Sequence, residues 1–110
     1  MWQKAMTLVK EVYLQTENFP KSETYGIVSQ IQRAAVSIPA NIAEGAGRDS
    51  DKEFSRFLDI ANGSAFELET LLLLSVSLQY LSEEVNKTLS LEIVEIQRMI
   101  YGLKQKINLN

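Results

Sequence analysis

Arg33, Ser37, Asn41 and Glu44 step by four, four and three along the chain. On a helix that spacing puts a guanidinium, a hydroxyl, an amide and a carboxylate on one stripe. Arg56, Asp59, Gly63, Ser64 and Glu67 offer a partner stripe further on. Two readings fit. In the first, Glu44 or Glu67 acts as an acid or base beside Arg33 in a shared pocket, with burial raising its pKa. In the second, the polar groups form a hydrogen-bonded network that fixes the register of helices or subunits. The second is preferred, because structural ion-pair networks often mimic active sites. No catalytic residue is therefore assigned, and the chain is expected not to be an enzyme.

The residue inventory removes other chemistries. Cysteine and histidine are both absent, which excludes disulfide scaffolds, Cys/His zinc sites, thiol nucleophiles and imidazole acid–base catalysis. A di-iron bundle site needs Glu-x-x-His and cannot be built. Glu92 and Glu95 share a face, but a solvated surface explains them, and no metal is expected. Glu44-Gly45-Ala46-Gly47-Arg48 matches neither the P-loop nor the dinucleotide fingerprint, which both follow a strand. It reads as a helix exit, so no cofactor or small-molecule substrate is expected.

A nucleic-acid surface would draw on Lys87, Arg98, Lys104 and Lys106, with Lys4 and Lys10 nearer the start. The first four do not share one stripe, and the net charge is −3. A solvated face is the default reading. Assembly could still multiply a weak patch, because phosphate contacts add up. Residues 49–85 carry two basic and eight acidic side chains, an acidic zone in mid-chain.

These residues must be positioned by helices. The chain has 110 residues, 45% of them hydrophobic and only two of them proline. That is enough for one core and a single domain over 1–110. No stretch alternates with the strand period. The first helix is expected over about Trp2–Glu17, with Ala5, Leu8 and Val12 inward and Phe19 continuing that face. The second starts near Ser22 as N-cap, with Glu23 in its first turn. Ile27, Ile31, Ala34, Ile38 and Ile42 keep phase across Pro39, so one helix kinked at Pro39 is predicted. Gly45 and Gly47 supply its stop. Ser50 and Glu53 form a capping box for a third helix to about Tyr80. Its small residues Ala61, Gly63, Ser64 and Ala65 would admit a close helix. The fourth, capped by Ser82, runs over about Glu83–Ile107 on a seam of Leu89, Ile93, Ile96, Ile100, Leu103 and Ile107. Asn108 to Asn110 are expected to fray. Short connections make the whole an all-α, antiparallel up-and-down four-helix bundle.

The third helix has a second apolar face, Ile60, Leu71, Leu74, Leu78 and Leu81, beyond what one bundle core needs. A monomer rarely leaves such a patch bare, so a homo-oligomer is expected. No apolar run is long enough to span a bilayer, and no signal-peptide pattern opens the chain. A cytoplasmic protein without membrane contact is the expectation.

Trp2-Gln3-Lys4-Ala5, Phe19-Pro20 and above all the run Arg33-Ala34-Ala35-Val36-Ser37-Ile38-Pro39-Ala40-Asn41-Ile42-Ala43-Glu44-Gly45 carry a resemblance. So do Phe57-Leu58-Asp59-Ile60-Ala61-Asn62-Gly63-Ser64 and Glu67-Leu68-Glu69-Thr70. The chain resembles, over nearly its whole length, the four-helix-bundle proteins encoded by intervening sequences within bacterial 23S rRNA genes, sometimes labelled ribosomal proteins. The resemblance implies a ring-like homopentamer of poorly defined role and no established enzyme activity. It implies RNA or an RNA-handling protein as partner. The related accessory proteins of diversity-generating retroelements bind nucleic acid and a reverse transcriptase through a basic surface, from which this acidic sequence departs. The motif residues carried over are Arg33, Ser37, Pro39, Asn41, Glu44, Gly45, Gly63, Ser64 and Glu67, as structural and interface residues.

Overall fold

A computed structural model describes residues 1–108. Four α-helices follow one another: α1 (Trp2–Thr16), α2 (Ile27–Ala46), α3 (Asp51–Ser77) and α4 (Glu83–Asn108). A single 3-10 turn, Lys21–Glu23, lies between α1 and α2, and no strand occurs among the described residues. Each helix packs on its neighbours in chain order and α1 closes on α4, so α1 and α3 lie diagonally opposite, as do α2 and α4. Cross-pairs give the directions. Thr16 bonds Gln32 while Tyr13 faces Val36. Ser37 meets Ser64 while Gly45 meets Phe57. Asp59 meets Lys104 while Glu69 meets Ser90. In every pair one number rises as the other falls, so adjacent helices are antiparallel. The body measures 47 × 24 × 19 Å.

The apolar periodicity predicts the core closely. Ala5, Leu8 and Val12 of α1 are buried, as are Ile27, Ile31, Ala34, Ile38 and Ile42 of α2. Leu58, Ala61, Ala65, Leu68 and Leu72 of α3 meet Leu89, Ile93, Ile96, Ile100 and Ile107 of α4 in the same cluster. Fully burying one of these large side chains stabilises by about 1.5–3 kcal/mol. Two of the three predicted serine caps, Ser50 and Ser82, are made. The Glu53 N–H donates to Ser50 Oγ at 3.1 Å, and the Val85 N–H donates to Ser82 Oγ at 3.1 Å. Each satisfies one of the orphan donors of a helix start.

Four local expectations are corrected. First, α2 begins at Ile27 with Gly26 as N-cap, and Ser22 sits in the 3-10 turn instead. Glu23 serves no helix dipole there; its carboxylate accepts the Tyr80 hydroxyl at 2.9 Å. Second, Gly45 does not stop α2. It is buried one residue before the helix end, and Gly47 is the C-cap. A Cβ at 45 would stand 2.7 Å from Phe57 Cβ and 2.9 Å from Phe54 Cδ1, so the missing side chain lets α2 close on α3. Third, α3 ends at Ser77 rather than Tyr80. Gln79 takes a left-handed φ of 65°, and the Gln79 and Tyr80 N–H groups donate back to Val76 and Ser75 carbonyls. That is a Schellman stop with glutamine in the position glycine usually fills. Fourth, Asn108 is still helical; Leu109 and Asn110 lie outside the described residues.

α2 runs through Pro39 as one helix from Ile27 to Ala46, with the proline ring buried. Pro39 has no N–H to give to the Ala35 carbonyl one turn back. Among the described residues no helix is long and apolar enough to cross a membrane.

Candidate functional site

The α2 stripe and the α3 stripe touch at one polar rung. Ser37 Oγ and Ser64 Oγ lie 2.7 Å apart. Asn41 Nδ2 donates to Ser37 Oγ at 2.9 Å and to the Ser37 carbonyl at 2.8 Å. Ser64 Oγ donates to the Ile60 carbonyl at 3.1 Å. Since Ser64 Oγ gives its proton to Ile60, Ser37 Oγ is the donor in the serine pair. The chain Ser37 to Ser64 to Ile60, with Asn41 bonded to Ser37 Oγ, uses these groups on each other. Nothing in it is an exposed nucleophile or base.

The charged members of the two stripes are not gathered with them. Glu44 accepts from Arg48 Nη2 at 2.7 Å on the exposed surface. Arg33 is exposed and lines a shallow depression with Tyr13, Ser29, Gln32, Val36 and Ser37, to which neither Glu44 nor Glu67 contributes. Glu67 is exposed on α3. Arg33, Glu44 and Glu67 thus form no shared acid–base pocket. Gly63 is exposed as well, and a Cβ there would meet nothing within 4 Å, so it admits no helix of its own chain. Helical period tells which residues share a face; it does not tell where the neighbouring helix ends its cover.

The four candidate nucleic-acid contacts also separate. Lys104 is paired with Asp59 across α3 and α4. Lys87 and Arg98 are exposed on α4, and Lys106 is in its last turn. Glu95 on the same helix is bonded to Lys4 at 2.9 Å.

Two features carry no mark in the sequence. At the α1–α4 seam, Glu92 of α4 lies against Glu11 of α1. The hydrogen bond that a shared proton makes to Glu11, together with burial and the Glu11 charge, pushes the Glu92 carboxyl up to about 7, while Lys4 pulls weakly the other way. Glu92 Oε2 is buried without a hydrogen-bond partner, beside a hollow of about 260 Å³ that Lys4, Thr7 and Glu95 also line. Only three-dimensional packing brings residues 11 and 92 together. A larger open hollow of about 720 Å³, at the start of α3 and the end of α4, is lined by charges of both signs, among them Asp51, Lys52, Arg56 and Asp59. Among the described residues no group of three acidic side chains converges as a metal site requires.

The surface is greasier than its charge suggests. Met6, Tyr13, Leu14 and Val36 are exposed where α1 meets α2, and Ile60, Phe66, Leu73, Leu74 and Leu78 are exposed along α3. Between α1 and α2 lies a groove of about 370 Å³ lined by Val9, Lys10, Tyr13, Leu14 and Val36.

Comparison with known proteins agrees with this architecture. A crystal structure of a protein with unknown function from the S23 ribosomal protein family of Bacteroides thetaiotaomicron superposes with a TM-score of 0.84. It is 26% identical, and the match covers 94% of this chain and 96% of that one. No curated protein matches. The family model of the 23S rRNA-intervening sequence proteins matches residues 1–102. With four helices in place and a match over nearly the whole chain, the protein belongs to the 23S rRNA-intervening sequence protein family.

Proposed function

We propose that this chain is a non-enzymatic, single-domain assembly module that forms a ring-like homopentamer in the cytoplasm and presents its outer surface to RNA or to an RNA-handling protein. The observation that carries the reading is the exposure of large apolar side chains on two separate faces, around Tyr13 and Leu14 on one and along Ile60 to Leu78 on the other. A soluble monomer seldom leaves such area uncovered. The non-enzymatic part is supported by the dispersal of Arg33, Glu44 and Glu67, and by the way Ser37, Asn41 and Ser64 are used up on each other. Loss of the Pro39 hydrogen bond supports a bend in α2, since internal prolines kink helices.

RNA, or a protein that handles it, is the partner class suggested by the family's tie to 23S rRNA intervening sequences. The net charge of −3 and the pairing of Lys104 favour the protein partner over naked RNA. Size-exclusion chromatography with light scattering tests the reading, with absorbance followed at 260 and 280 nm. A mass of about five times the 12.4 kDa chain supports the ring. A stable, folded monomer overturns it. A 260 nm excess that salt removes moves the partner from protein to nucleic acid.

A further inference from the structure

Ile60, Glu67 and Leu74 are spaced by seven, so they fall on one outer face of α3. Gly63 lies between Ile60 and Glu67 on that face, three residues from one and four from the other. Ile60 and Leu74 are exposed, and a Cβ at Gly63 would meet open space. A glycine in the middle of a 27-residue helix weakens it relative to alanine, and nothing within this chain needs that position bare. The feature makes sense where a second backbone comes close. Between α1 and α2 lies a shallow, open apolar groove lined by Val9, Tyr13, Leu14 and Val36, the last three of them exposed. The charges of this groove and of the α3 face are complementary. Lys10 lines the groove, and Arg33 lines the adjoining depression that shares Tyr13 and Val36. Neither cation has a hydrogen-bond or ion-pair partner among the described residues, and neither has Glu67.

We propose that the α3 ridge of one copy, Ile60, Gly63, Glu67 and Leu74, seats in the α1–α2 groove of a second copy, with Glu67 facing Lys10 and Arg33 at the rim. Ridge and groove are different surfaces of one chain. The contact is therefore heterologous, each copy offers a further ridge and a further groove, and the series closes when its rotation allows. This deepens the assembly reading above and rests on it.

The chain has no cysteine, which makes a clean crosslinking test. α1 and α3 lie diagonally in the bundle, too far apart for a disulfide within one copy. Tyr13→Cys with Ile60→Cys in one chain, oxidised and run without reductant, should give a ladder of covalent multiples. Either single variant should give no more than a dimer. Light scattering on the unmodified protein runs alongside. If that protein is a monomer, assembly and pairing both fail. If it is an oligomer and the double variant gives no ladder, this pairing alone fails. Glu67→Arg gives a second, independent reading. It should cut the assembled fraction at least tenfold with helix content unchanged, and Lys10→Glu with Arg33→Glu should restore it. An assembled Glu67→Arg variant would overturn the charge pairing.

Discussion

Gly45 and Phe57 hold α2 and α3 at a separation that leaves no room for a methyl group: a Cβ at 45 would stand 2.7 Å from the Cβ of Phe57. A second obstacle is Phe54, with its ring at 2.9 Å and its carbonyl at 3.3 Å. Neither Phe57 Cβ nor the backbone is a flexible tip that can swing away. Alanine ordinarily favours a helix over glycine by about 1 kcal/mol. Here the clash outweighs that gain. Gly45→Ala is expected to destabilise by about 1–3 kcal/mol, the usual cost of overpacking, read as a fall in the denaturation midpoint.

The opposite sign is expected at the end of α3. Gln79 holds φ at 65° in the C′ position of the Schellman stop. A side chain pays about 1 kcal/mol there and glycine does not. Gln79→Gly should raise stability by about 0.5–1 kcal/mol, a rise of several degrees in melting temperature for a chain of this size.

The Ser37–Ser64 rung predicts coupling. Ser37→Ala leaves Asn41 and Ser64 each short of one partner, and Ser64→Ala leaves the Ser37 proton unmatched. Each single change should cost about 1 kcal/mol. The double variant should cost less than the sum by about 0.5 kcal/mol or more, since both changes remove the same bond. Additive losses in a double-mutant cycle would show that the two hydroxyls act independently.

Stability should fall as pH rises through neutrality. The Glu92 carboxyl titrates at about 7 in the folded chain, above its ordinary value of 4.5, because of its hydrogen bond with Glu11, its burial and the Glu11 charge. A raised carboxyl pKa means the folded state holds the proton more tightly than the unfolded one. Its contribution is full below about 4.5 and lost as pH climbs through about 7. Solvent screening at this half-buried site holds the effect to about 1 kcal/mol. Thermal melts from about pH 5 to about pH 8 should show the decline, and Glu92→Gln should flatten it.

Much of the fold is legible in the order of residues. The 4-3-4-3-4 seam of α4 and the Ser50 and Ser82 caps are local patterns, and local physics decides them. The start of α2 is not legible, although Ser22 and Glu23 have the right types for a helix entry. Glu23 is taken by Tyr80, 57 residues away, whose ring also packs on Phe19 with centroids 5.5 Å apart. A long-range hydrogen bond overrides a local preference. The candidate site divides the same way. Ser37, Asn41 and Ser64 meet as their spacing suggests, whereas Arg33, Glu44 and Glu67 share their stripes but look outward. Gly45 was visible as a small residue near a helix end, yet only the phenylalanine cluster across from it explains the choice.

The neighbour order of the helices bears on how the chain finds its shape. α1 with α2, α2 with α3, and α3 with α4 are each hairpins between consecutive segments, closed over short connections. Among the helix–helix interfaces, only the α1–α4 seam joins distant parts of the chain, and it is the slightest of the four. Loop closure is cheap for the first three and dear for the last. Such a low contact order makes for rapid folding, with the α2–α3 pair as its natural starting point. α1 and α4, which share this slightest interface and bring Glu11 of one against Glu92 of the other, are the segments expected to part first when the protein breathes.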